Sequence, residues 1–132
     1  MSNRHPLIRM YHIIKNDKEL LSLMNQSNPQ IYTFEIPDDF QKKENAPFIR
    51  ITEIRLHNTL FNDSDSNHYR FLFAVEVIAK TIQQTYEISE RVNEIIKSKY
   101  GRCYDRDLSK DDFGLFNNML EFEIILNEKE NE

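Results

Sequence analysis

The spacing of hydrophobic positions changes along this chain, and each change marks a new element. Leu7, Met10, Tyr11, Ile14, Leu21 and Met24 recur at helical spacing, with Ile13 and Leu20 on the edge of the same face. This predicts a helix from Leu7 to about Met24, and Pro6 suits its first turn. Asn16-Asp17 interrupts the pattern, either as a kink or as the cap of a second short helix beginning at Lys18. The run NQSNP at 25–29 is a turn cluster that ends the helix.

The period then shortens to two. Ile31 to Ile36 (IYTFEI) reads as a strand with its apolar face on Tyr32, Phe34 and Ile36. Pro37 ends it, and Asp38 to Ala46 reads as a polar loop. Phe48 to Leu56 (FIRITEIRL) is a second strand whose alternation changes phase, from Ile49 and Ile51 to Ile54 and Leu56. That change predicts a bulge near Thr52-Glu53. After a polar loop at 62–67, Tyr69 to Ala79 (YRFLFAVEVIA) gives the strongest strand signal. Tyr69, Phe71, Phe73, Val75 and Val77 form one face, and Leu72, Ala74 and Ile78 partly fill the other. Such a strand is expected at the centre of a sheet, covered on both sides.

Ile82, Ile88, Val92, Ile95, Ile96 and Tyr100 return to helical spacing over Thr81 to Tyr100, with Gly101 placed as the C-cap. Arg102 to Asp112 reads as a charged connection. In Asn118 to Leu126, Leu120, Phe122 and Ile124 alternate with Glu121 and Glu123, which predicts a strand with one wet face. The expected order is helix, strand, strand, strand, helix, strand. The expected fold is α+β: a mostly antiparallel four-stranded sheet with two flanking helices. Residues 1–126 form one domain on this reading, and 127–132 an acidic C-terminal tail expected to fray.

Composition narrows the function classes. At 132 residues the chain can bury roughly two thirds of its unfolded surface without a disulfide or metal. Seventeen Lys and Arg against 22 Asp and Glu give a net charge of −5, which argues against a dedicated nucleic-acid binder. No apolar run approaches the roughly 18 residues of a spanning helix, and the N-terminus lacks the apolar core of a secretory signal. With one cysteine, Cys103, no intramolecular disulfide forms, and a reducing cytoplasm is expected. Two glycines, Gly101 and Gly114, are too few for the common phosphate-cradling motifs.

Searches for chemistry return weak matches. Asp63-x-Asp65-x-Asn67 begins like a calcium loop, but His68 and Ala74 stand where Gly and Glu are needed. Asp105, Asp107, Asp111 and Asp112 fail the same test, which leaves at most a magnesium contact through one or two carboxylates. His5, His12, His57 and His68 offer no pair at helical ligand spacing. Cys103 has no local signature of a nucleophile. Glu87, Glu90 and Glu94 lie on the charged side of their helix and read as a solvated face. Tyr69, Phe71 and Phe73 lack the interleaved basic residues of an RNA-stacking sheet. No catalytic residue, cofactor or metal is expected. What remains is a small acidic domain that presents surfaces to other proteins.

The order of segments resembles the tail terminator (tail completion) proteins of long-tailed phages that infect Gram-positive bacteria. The resemblance rests on KNDKELLSLM (15–24), IYTFEIPDDF (31–40), APFIRITEI (46–54), YRFLFAVEVIAK (69–80), the following amphipathic helix, and GRCYDRDLSKDD (101–112) before a closing strand. It covers nearly the whole chain and carries no catalytic motif. It implies a structural role: a ring, typically of six copies, that caps the tail tube, stops its polymerisation and receives the head connector. The implied partners are the chain itself, the tail tube protein and the head–tail connector, with DNA passing through the lumen unbound and the virion neck as the location. Asp38, Asp39, Phe40, Tyr104 and Asp105 are the candidate interface residues. Two other classes compete. One is a cytoplasmic adaptor or inhibitor that binds a single host protein. The other is a small hydrolase or nuclease using the acidic residues around Asp105 and Asp111.

Overall fold

The computed structural model describes residues 4–58 and 68–127. These residues form three α-helices: α1 (Pro6–Lys15), α2 (Lys18–Met24) and α3 (Ile82–Ser98). They pack on one five-stranded sheet of β1 (Gln30–Thr33), β2 (Phe48–Asn58), β3 (His68–Ala79), β4 (Arg102–Lys110) and β5 (Phe116–Asn127). The strand order is β1-β2-β3-β5-β4.

The four-stranded, mostly antiparallel sheet with two helices is therefore corrected in three places. First, the charged segment after α3 is strand β4, paired antiparallel with β5 from Arg102↔Glu123 to Lys110↔Phe116. Its sequence hides this because an edge strand needs only backbone pairing on one side. Nearly all of its side chains are exposed, so no apolar alternation is required. Second, β1 runs parallel to β2, in register from Gln30↔Phe48 to Thr33↔Ile51. The connection from Phe34 to Pro47 is long enough to carry the chain back to the same end, where a tight hairpin would have forced the opposite direction. Third, the first helical stretch is two helices.

The break between α1 and α2 has a physical cause in Asp17. Its carboxylate caps α2 by accepting from the Leu20 N–H at 2.9 Å. The same carboxylate receives two hydrogen bonds of 2.8 Å from the Arg91 guanidinium of α3. That hydrogen bonding holds the Asp17 carboxyl below its usual range. At the start of α1, His5 caps through Nδ1, which accepts from Leu7 N–H at 3.0 Å. Its Nε2 lies 3.3 Å from Glu53.

One face of the sheet meets the helices. Leu7, Met10 and Ile14 of α1, Leu20 and Met24 of α2, and Ile88, Val92, Ile95 and Ile96 of α3 form one buried cluster with it. The sheet supplies Ile31, Ile49, Ile51, Phe71, Phe73, Val75, Val77, Leu120, Phe122, Ile124 and Leu126. Phe71, Phe73 and Phe122 are stacked, with ring centroids 5.2 and 5.3 Å apart. The change of phase in β2 is a bulge, as expected: the register with β3 shifts between Glu53 and Arg55, leaving Ile54 as the extra residue. The reading of 31–36 as one strand is corrected. It ends at Thr33, and Phe34 turns away with φ of 63° and an exposed side chain. Ile31 joins the main core, whereas Tyr32 and Ile36 pack with Phe48, Ile78 and Leu115 in a second cluster on the opposite face.

The end of α3 corrects the role expected of Gly101. The Gly101 N–H donates to Ile96 O and the Tyr100 N–H to Lys97 O, which is a Schellman closure with Tyr100 in the left-handed position (φ 68°). Gly101 is there for space: a Cβ on it would lie 2.5 Å from Ile96 Cγ2, inside the core. Gly101→Ala is expected to cost about 1–3 kcal/mol through overpacking. Tyr100→Gly is expected to raise stability by up to about 1 kcal/mol, since a 95% exposed tyrosine has no packing to lose. Urea unfolding of both variants measures the two signs.

Asp17→Asn keeps part of the cap and removes the charge that Arg91 meets. A loss of about 1–2 kcal/mol is expected at pH 7. Because the folded-state pKa of Asp17 is depressed, this stabilisation is present above the unfolded value near 4 and is lost as pH falls through the folded value. The difference between variant and wild type should therefore shrink below about pH 4, which unfolding curves across the acid range would reveal.

Candidate assembly surface

Among the described residues, no α-helix lies on the second face of the sheet. One end of it is covered by the 34–47 connection, through Ile36, Ala46 and the Tyr32, Phe48, Ile78 and Leu115 cluster. Beyond that cover, the β-register sets charged residues in rows with Met119, Ala74 and Leu72 among them. Arg50, Glu76, Met119 and Asp107 are successive partners across β2, β3, β5 and β4. Thr52, Ala74, Glu121 and Asp105 form the next row, and Arg55, Leu72, Glu123 and Arg102 the one after.

Two buttressed carboxylates hold this surface. Glu76 accepts from Arg50 Nε and, at 3.1 Å, from Asn117 Nδ2. Burial pushes the Glu76 carboxyl up, but these hydrogen bonds outweigh it and its pKa is lowered. Glu123 accepts from Arg70 Nε and from Arg102 Nε at 3.3 Å, and the Arg70 hydrogen bond leads in lowering its pKa. A third carboxylate behaves oppositely. Burial pushes Glu121 above its ordinary value, and the hydrogen bond and negative charge of Asp105, with the charge of Asp107, push the same way. Tyr104 is raised by burial and by the charges of Glu121, Asp105 and Glu123.

The residues singled out from sequence fall in two places. Asp38, Asp39 and Phe40 sit in the turn after Pro37, where Phe40 N–H donates to Pro37 O at 2.9 Å. Phe40 is 45% exposed and lines an open groove of about 600 Å³ with Met24, Asn28, Pro47, Lys80 and Gln84. Tyr104 and Asp105 lie on β4 at a register shift, with Tyr104 as the extra residue. Asp105 joins Glu121, whereas Asp111 caps the β4–β5 turn by accepting from Phe113 and Leu115 N–H, both at 2.9 Å. The calcium-like fragment 63–67 and the tail from 128 lie outside the described residues. Among the described residues no three His, Cys, Asp or Glu stand together as a metal set, and no helix is long and apolar enough to cross a membrane.

Sequence reasoning missed Arg50, Glu76, Glu121 and Glu123 as a surface. The signal was present in the strand alternation, because all four occupy the face opposite the buried residues. Without β4, however, Asp105 and Glu121 could not be recognised as neighbours.

Glu121 gives a pH signature with the opposite sign to Asp17. A carboxyl raised in the folded state costs stability once it ionises, so folding is favoured as pH falls. Glu121→Gln is expected to raise Tm at pH 7, with the gain fading as pH falls through the folded pKa toward the unfolded value near 4.3. Differential scanning calorimetry at several pH values checks it, and a constant offset would rule out ionisation as the cause.

No protein-family model matches the chain, and no curated protein matches it. A solved structure does: a chain from the virion of a native gene transfer agent particle, with a TM-score of 0.55 at 11% identity. The alignment covers 91% of this chain and 96% of that one, so the two share a fold over most of their length.

Proposed function

We propose that this chain is a structural protein of a phage-like virion, and specifically a tail terminator that acts as a ring at the head-proximal end of the tail tube. The observation that carries the reading is the likeness of fold, over 91% of this chain, to a chain of the gene transfer agent virion. The likeness spans nearly all of both chains, so it is not confined to one common supersecondary motif. The order of segments noted in the sequence supports the finer assignment, from KNDKELLSLM through GRCYDRDLSKDD.

On this reading the chain works by assembly, not by catalysis. Its partners are further copies of itself, the tail tube protein and the head–tail connector, and DNA passes through without specific contacts. A broad sheet face on which the described residues place no α-helix supplies area for such contacts, and its charges are held in fixed positions by Arg50–Glu76 and Arg70–Glu123–Arg102.

Purified protein should form closed rings of about six copies, visible by negative-stain microscopy and native mass spectrometry, either alone or on tail tubes of the cognate phage. Added protein should also halt elongation of those tubes. Failure to bind or cap the tubes would overturn the terminator assignment, and a discrete complex with a host protein instead would favour the adaptor class.

A further inference from the structure

We propose that copies of this chain associate head to tail, with the acidic β4 flank of one copy docking against the basic α1–β2 flank of the next; this rests on the ring reading above. The strand order puts β4 at one edge of the sheet and β1, beside β2, at the other. Helix α1 packs over β1 and β2. Residues 4–15, which contain α1, hold three Lys and Arg, two His and no Asp or Glu. Strand β2 adds Arg50, Arg55 and His57 against one acid, Glu53. On the opposite flank, residues 102–127 carry three Lys and Arg against six Asp and Glu.

Internal pairing sharpens the contrast. Arg102 is engaged by Glu123, Arg106 by Glu90 and Arg50 by Glu76. That leaves Asp105, Asp107, Asp111, Asp112 and Glu121 against Lys110 on one flank, and Arg55 with Lys15 on the other. Asp105, Asp107, Arg55 and Lys15 are all exposed. A cation brought onto the Asp105–Glu121 pair by a neighbouring copy would relieve the repulsion between the two carboxylates.

The same edge rejects a symmetric partner. In a two-fold antiparallel pairing of β4 with its own copy, the register centred on Arg106 opposes Arg106 to Arg106 and Asp105 to Asp107. Shifting by two in one direction opposes Asp105 to Asp105, and in the other Asp107 to Asp107. A further shift opposes Arg106 to Lys110. Like charges directly opposite are destabilising. The edge thus disfavours an isologous dimer, and opposite signs on opposite flanks favour a heterologous contact, the kind that closes into rings.

Two variants of the full chain test the assignment: Asp105→Lys with Asp107→Lys, and Lys15→Glu with Arg55→Glu. Circular dichroism and thermal melts first establish that both fold. Sedimentation velocity and native mass spectrometry then read association at low and high salt. Wild type is expected to associate and to weaken with salt. Each variant alone should associate at least about tenfold more weakly, because every contact now opposes like charges. An equimolar mixture of the two should recover association, since alternating copies restore opposite charge at every contact. If either folded variant associates as tightly as wild type, or if the mixture fails to recover, the flank assignment is wrong while the ring reading stands. If wild type stays monomeric at high concentration and low salt, the self-contact proposed here is wrong, and tube capping decides the ring reading separately.

Discussion

Strand β3 is hydrogen-bonded to β2 along one edge and to β5 along the other, over nearly its whole length. Every other part of the molecule depends on that double pairing. On one side, Phe71, Phe73, Val75 and Val77 are fully buried and give all three helices their floor. On the other, Ala74 and Ile78 are buried, Ile78 in a cluster with Ile36 of the β1–β2 connection. The stack of Phe71, Phe73 and Phe122 crosses from β3 to β5, so the two strands are locked by side chains as well as by the backbone ladder. A slip of one residue would turn those rings outward and place Leu72 and Glu76 beneath the helices.

From that floor the two faces diverge. The helical face is a dry core, and the ion pair of Arg91 with Asp17 ties α3 to the α1–α2 junction. On the open face the apolar cover formed by the described residues lies at one end, and the rest is held by carboxylates that each bridge neighbouring strands. Glu76 is held by Arg50 from β2 and Asn117 from β5, and Glu123 by Arg70 from β3 and Arg102 from β4. Charges held on several sides lose little further entropy on meeting a partner, which suits a surface built for docking. The Arg50–Glu76 pair is mostly shielded from solvent, so it resists screening by salt better than Asp105 or Asp107 do.

What the sequence disclosed was whatever a buried face imposes. Alternation in β3 and β5, helical spacing in α3 and the phase change at Ile54 are consequences of one side being dry, while the cap at Asp17 is legible from its residue type. Strand β4 imposed nothing of the kind. RCYDRDLSK lies at an edge, its backbone is paired on one side and its side chains are wet, so its composition resembles a loop. The direction of β1 was equally hidden, because parallel and antiparallel pairing place the same residues on the same faces. The interface residues Asp38, Asp39, Phe40, Tyr104 and Asp105 were reached through a resemblance, and the structure puts them on separate elements. The rows that join Asp105 to Glu121 and Arg50 to Glu76 exist once strand order is known, and strand order has no local signal.

Gln26 carries a consequence of another sort. Its side-chain amide donates to Asn45 O at 2.8 Å and to Pro47 O at 3.0 Å, while its oxygen accepts from Gln30 N–H at 3.0 Å. One side chain thereby fastens the returning end of the long β1–β2 connection to the start of β1. The stretch around Asp38 to Lys42 hangs outside that fastening, so its length and chemistry are uncoupled from the register of the strands it joins. A molecule built this way can evolve a new contact at the tip while its sheet stays the same, which is the economy of a fixed frame with an interchangeable fitting.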